Sequence, residues 1–205
     1  MNTYPDIFFS FNRKIASKAV PYLACTSITP NQITSLSLFC GLTAACFFSR
    51  GSRQWLMAGA LFWQLSFILD NCDGAIARIK NLSSVSGMWY DFVADLLVDL
   101  AVWAGLGFAV YSQRGVSYAV PVALVACAGS VINFLRVIRG RLGGKTGKES
   151  PPRPENIFLS TVHILSNDGD PTLLIWILAL IGHPEYLLVL GCFYINFIWM
   201  MSFLF

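Results

Sequence analysis

The chain is 205 residues long, 56% hydrophobic and only 12% charged. Soluble domains carry about 25% charged residues, so the composition excludes an ordinary soluble protein and points to an integral membrane protein of one domain. The net charge of +3 is mild and its distribution says more than its size; no nucleic-acid partner is expected.

In chain order, residues 1–24 interleave Arg13, Lys14 and Lys18 with Ile7, Phe8, Phe9, Phe11, Ile15, Val20 and Leu23. A secretory signal peptide starts basic and passes into a short apolar core. This mixture reads instead as an amphipathic helix lying on a membrane face. A helix needs roughly 20 residues to cross a bilayer core. No charge falls between Lys18 and Arg50, and Thr29-Pro30-Asn31 marks a helix start, which puts a first span at 31–49. From Gln54 to Leu69 the uncharged run is only 16 residues. The second span, 54–78, must therefore run on through Asp70 and Asp73 and hold them near one membrane face. The third span, 83–112, also carries its acids early, as Asp91, Asp95 and Asp99. A fourth follows at 116–138. Residues 139–156 are basic and rich in Gly and Pro, and read as a loop; 157–167 read as interfacial. Asp170-Pro171 combines a cap with a first-turn proline and opens a fifth span at 170–182. Gly182-His183-Pro184 turns the chain into a sixth at 186–205. The expected fold is all-α and integral to the membrane: six transmembrane helices, an N-terminal interfacial helix and no soluble domain. The six cysteines stand singly in apolar stretches and read as packing or lipid-facing residues, not a disulfide framework.

Lys and Arg set orientation. With six spans, one side holds both termini and the 2–3 and 4–5 loops. It carries Arg13, Lys14, Lys18, Arg78, Lys80, Arg136, Arg139, Arg141, Lys145, Lys148 and Arg153, against Arg50, Arg53 and Arg114 on the other. Both termini are therefore expected in the cytoplasm, with the aspartates of spans 2 and 3 on the same side.

Asp70 and Asp73 are three residues apart, and Asp91 and Asp95 four apart, so each pair shares a helix face. A short loop joins the two helices, which makes them antiparallel neighbours and lets the pairs face each other. Four carboxylates together in a low dielectric repel strongly. They either take up protons or hold cations, and oxygen-only ligation suits hard divalent ions such as Mg²⁺, Mn²⁺ or Ca²⁺. Two such ions would neutralise all four. Single acids at a membrane boundary often only solvate a helix end, but intramembrane acids are expensive and by default functional. Gly74, Ala77 and Gly87 flank the pairs and leave room between the helices. Arg78 and Lys80 can meet phosphate oxygens at the membrane edge.

Residues 70–95 thus read Asp-x2-Asp-Gly-x2-Ala-Arg-x8-Gly-x3-Asp-x3-Asp. This resembles the signature of the CDP-alcohol phosphotransferase family, with every fixed position filled. The segment Ile28–Thr34, "ITPNQIT", resembles the family's opening of the first span. The resemblance implies transfer of a phosphate-linked group, here phosphatidyl, from a CDP-alcohol such as CDP-diacylglycerol to a polar acceptor alcohol, with release of CMP in phospholipid synthesis. It implies two divalent cations, Mg²⁺ or Mn²⁺, on Asp70, Asp73, Asp91 and Asp95, with Asp95 also the general base. Gly74, Ala77, Arg78 and Gly87 would line the CDP site, approached by Asn31 and Thr34 from the first span. It also implies a membrane homodimer acting at the cytoplasmic face, alongside membrane lipids.

Arg136 and Arg139 resemble the basic acceptor pocket of members that use a phosphorylated polyol, such as inositol phosphate or glycerol 3-phosphate. They read equally as positive-inside residues meeting anionic lipids. Asp99 extends the acidic stripe one turn deeper, outside the signature, where it pairs with a polar group such as Asn133 or lines a wet cavity. Asp168 and Asp170 read as helix caps. His163 and His183 read as interfacial. Two other classes remain open on sequence: a divalent-cation transporter and an inactive scaffold of the same fold.

Overall fold

The structure, a computed structural model, describes residues 11–142 and 172–201. These form seven α-helices, and no strand occurs among the described residues: α1 (Phe11–Ala24), α2 (Pro30–Phe48), α3 (Arg53–Ile79), α4 (Val85–Arg114), α5 (Ala119–Leu142), α6 (Thr172–Ile181) and α7 (Pro184–Met201). The expected N-terminal residues 1–10, the loop and interfacial stretch up to Pro171 with Lys145, Lys148, Arg153, His163, Asp168 and Asp170, and residues 202–205 lie outside the described residues.

Three helices are long and apolar enough to cross a membrane: Pro30–Phe48, Val85–Arg114 and Ala119–Gly140. The start of α2 follows from its sequence. Thr29 accepts a hydrogen bond from the Gln32 amide, the Gln32 side chain accepts from the Thr29 amide, and Pro30 occupies the first turn, which together make a capping box. At the start of α4, the Ser84 hydroxyl accepts from the Gly87 amide. Gly115 closes α4 in the left-handed region at φ 62°, which glycine adopts without steric cost.

Helix α2 packs along α3 and α4, α4 along α5, and α5 along α7; α1 and α6 lie on α3. The main core joins α2 to α7 through fully buried Phe48, Leu56, Val102, Leu106, Val110 and Leu188. Trp63 sits edge-to-face with both Phe48 (5.6 Å) and Trp103 (6.1 Å). The α2–α4 approach is close enough that a Cβ on Gly105 would stand 2.6 Å from the Ala45 carbonyl oxygen. Small residues let helix backbones meet in this way. Ser37 and Ser66 exchange hydroxyl-to-carbonyl bonds, both at 2.9 Å, and lock α2 to α3.

Helix α1 turns Ala16 and Val20 inward onto Cys72 and Ile76 of α3, buries Asn12, and leaves Arg13, Lys14 and Lys18 exposed. A polar chain fixes it. Asn12 donates to Thr172 (3.4 Å), Gln64 donates to Asn12 (3.4 Å), and the Trp176 indole donates to Gln64 (2.5 Å). Lys80 does not reach outward for phosphate. Its ammonium donates to the Thr26 and Ile28 carbonyls at 2.6 and 2.8 Å, because the α1–α2 linker passes beside it with carbonyls left over from the helix end. At the opposite end of the bundle, Arg114 is more than a surface anchor. It lies 3.2 Å from His183 and 3.8 Å from Glu185, and His183 lies 2.8 Å from Glu185.

Candidate active site

Helices α3 and α4 both pack on α2 rather than along each other, and their acids meet in the space between them. Asp70, Asp91 and Asp95 each present a carboxylate oxygen within 4.8 Å of the other two. Asp70 and Asp91 are half-buried, whereas Asp95 is open to the cavity space. Asp73 lies one turn further along α3, is buried, and accepts the Thr34 hydroxyl at 2.5 Å. Thr34 of α2 therefore orients this acid from the neighbouring helix.

This cluster suits a divalent cation on the chemistry of its donors. Three carboxylates this close repel unless a positive charge sits among them, and all the donors are hard oxygens. Cys72, the nearest soft atom in sequence, is buried towards α1, with its sulfur 4.0 Å from the Ala16 carbonyl oxygen.

A cavity of about 1100 Å³ opens beside the cluster. Its wall includes Asp70, Asp73 and Asp91, and it collects all six residues expected at the CDP site: Asn31, Thr34, Gly74, Ala77, Arg78 and Gly87. Gly74 keeps the wall open, since a Cβ there would meet nothing nearer than the Arg78 guanidinium at 3.6 Å. Gly87 is tighter; its Cβ would come within 3.2 Å of the Asn31 side-chain oxygen. Five residues of α1, Arg13, Ala16, Ser17, Val20 and Pro21, also line this cavity and were missed in the sequence. Arg13 and Ser17 are four apart on one helical face, which was the available signal. Nearby, Tyr90 and Ser35 pair at 2.9 Å and tie α2 to α4.

A second cavity, of about 300 Å³, lies on the other side of the cluster. Asp70 lines both cavities, while Asp95 lines only the second, with Asp99, Asn133 and Tyr194. Asp99 has Ser130 as a polar neighbour, whose oxygen is held by the Trp103 indole N–H at 3.0 Å. Asn133 instead accepts from Arg136 at 3.1 Å. Arg136 stands behind Asn133, and its Nε is buried with no hydrogen-bond partner among the described residues. Arg139, one turn further along α5, is exposed.

The CDP-alcohol phosphatidyltransferase family model matches residues 27–182. A bifunctional IPC transferase and DIPP synthase of Thermococcus kodakarensis is 31% identical over 163 residues, which are 75% of this chain and 36% of that protein. A CDP-diacylglycerol–serine O-phosphatidyltransferase of Helicobacter pylori is 38% identical over 68 residues, covering 33% of this chain and 27% of that one. The chain spans about a third of the length of the curated relatives it matches. The crystal structure of Mycobacterium tuberculosis phosphatidylinositol phosphate synthase with CDP-DAG bound has the same fold. It superposes with a TM-score of 0.51 at 21% identity, over 92% of this chain and 93% of that one. With its signature residues gathered around two cavities that share Asp70 and its family model matched over most of its length, the chain belongs to the CDP-alcohol phosphatidyltransferase family.

Proposed function

We propose that the protein transfers a phosphatidyl group from CDP-diacylglycerol to a hydroxyl of a phosphorylated polyol and releases CMP. The observation that carries this reading is the Asp70/Asp91/Asp95 cluster at the junction of two cavities. The larger would hold the CDP group, with Arg78 at its phosphates and the close Gly74 wall against the nucleotide. Arg13 of α1 adds a second positive charge to the same cavity.

Two divalent cations, Mg²⁺ or Mn²⁺, on Asp70, Asp73, Asp91 and Asp95 would supply the positive charge that a pyrophosphate and its departing CMP need. The chain's own groups do the rest. Thr34 holds Asp73 in one orientation. Asp95 faces the second cavity and takes the acceptor's proton. The acceptor oxygen forms a bond to the lipid-side phosphorus. The bridging P–O bond breaks, and its electron pair leaves on CMP. Arg136 and Arg139 would receive the acceptor's own phosphate.

The donor is supported by the Helicobacter pylori relative, whose name specifies CDP-diacylglycerol. The same reading has six spans, with α3, α6 and α7 joining the three long apolar helices, and α1 lying on the membrane face. It has both termini and the site in the cytoplasm, following the Lys and Arg distribution, and a single-domain chain that pairs as a homodimer.

The test is CMP release by detergent-purified protein with Mg²⁺ or Mn²⁺ and CDP-diacylglycerol. The acceptors are inositol 1-phosphate, glycerol 3-phosphate, serine and free inositol. Release with one polyol phosphate, lost in Asp95→Asn, is expected. No release together with no metal-dependent CDP binding would end the transferase reading and leave an ion site.

A further inference from the structure

We infer that the second cavity is the acceptor chamber and that Asp99, outside the family signature, selects acceptors by gripping a hydroxyl that does not react. This rests on the transferase reading above. A general base must touch the proton it removes. Asp95 lines the smaller cavity and not the larger, so the reacting hydroxyl belongs in the smaller. At about 300 Å³ that cavity matches the low end of small-molecule sites.

Asp99 lies one helical turn beyond Asp95 on the same face, and both line this space. A molecule whose reacting hydroxyl sits at Asp95 therefore presents its next polar groups to Asp99. The Trp103 indole donates to Ser130, and the Ser130 hydroxyl stands beside Asp99. That polar neighbour partly compensates the carboxylate's charge. Asn133 adds an amide to the same wall, and Arg136 holds its oxygen, which leaves the amide N–H₂ as a donor. The aromatic walls from Trp63 and Trp103 suit the apolar faces of a ring or chain.

An acceptor able to use all of this carries vicinal free hydroxyls and is uncharged where it meets Asp99. An acyl chain could make no hydrogen bond to Asp99 or to the Asn133 amide, at a cost. An ammonium would suit Asp99 but would lie near the Arg136 guanidinium, only one turn from Asn133 on α5. The polyol is therefore the occupant the chamber fits.

The test compares acceptors on the full-length protein in detergent, with CDP-diacylglycerol as donor. The acceptors are the better polyol phosphate, those of its mono-deoxy analogues that keep the reacting hydroxyl, and serine. In the unmodified protein at least one deoxy analogue is expected to lose about tenfold to a hundredfold in kcat/KM, as for a lost bond to a charged group. Asp99→Asn should raise the acceptor KM by a similar factor, leave the donor KM unchanged, and erase the difference between that analogue and its parent. Equal use of all the deoxy analogues would overturn the inference. So would a penalty that survives Asp99→Asn, a parallel rise in both KM values, or selective loss of serine as acceptor. If Asp99→Asn fails to bind CDP with metal, the analogue series on the unmodified protein, repeated with Asn133→Ala, decides in its place. Silence of the unmodified protein with every acceptor would overturn the transferase reading as well.

Discussion

Helices α3 and α4 behave differently at their two ends. Near Arg53 and Arg114 they are packed tightly: Leu56, Leu106 and Val110 are fully buried, and α2 meets α4 with no room for a side chain at Gly105. At the aspartate end the same helices line two cavities and carry the acids. The difference has a physical use. Like-charged carboxylates held a few ångströms apart push their helices apart, so something else must fix the geometry. The packed end supplies that rigidity, and the Ser37–Ser66 pair carries it to within one turn of Asp70. In the proposed function, the open end then admits a nucleotide on one side and an alcohol on the other.

The comparison can be broken at either end. The largest effect is expected from Asp95→Asn at the open end, with activity falling by about 10²–10⁴ fold, the usual contribution of general-base catalysis. The melting temperature in detergent should hold or rise, since one of several crowded like charges is removed. A fall in stability matching the fall in activity would mean that Asp95 is structural. Thr34→Val removes the donor that orients Asp73. Metal affinity, read from the metal dependence of CDP binding, should drop about tenfold to a hundredfold, as for other outer-shell partners. Gly105→Leu attacks the packed end and should cost about 1–3 kcal/mol through overpacking, measured as a fall in melting temperature. Some activity should be lost with it, because the packed end positions the acids. The smallest effect belongs to Arg114→Ala. That side chain is 44% exposed in its contact with Glu185, so below about 1 kcal/mol is expected, with CMP release unchanged.

Much of the site was legible in the sequence because it is local. Asp70, Asp73, Asp91 and Asp95 fall at helical spacings on two segments joined by a short loop, and the structure does gather three of them. The start of α2 was legible for the same reason, since Thr29, Pro30 and Gln32 settle it among themselves. What escaped depends on contacts between distant segments. The Thr34–Asp73 bond spans 39 residues, and the Asn12–Thr172 bond spans 160. No periodicity announces either. The division into two cavities was likewise unreadable, because the second is walled by α3, α4, α6 and α7 with Asn133 of α5, segments far apart in the chain. Asp99 stood out as an acid without a motif, but its partner Ser130 looked like one more small residue of an apolar helix.

The central claim is that one carboxylate cluster joins a CDP site to an acceptor site. Titration of CDP into the purified protein tests it most directly, with Mn²⁺, with chelator, and with the Asp70→Asn, Asp91→Asn double variant. Saturable binding that needs Mn²⁺ and is lost in the double variant is expected. CDP binding of equal strength with chelator, or in the folded double variant, would contradict it.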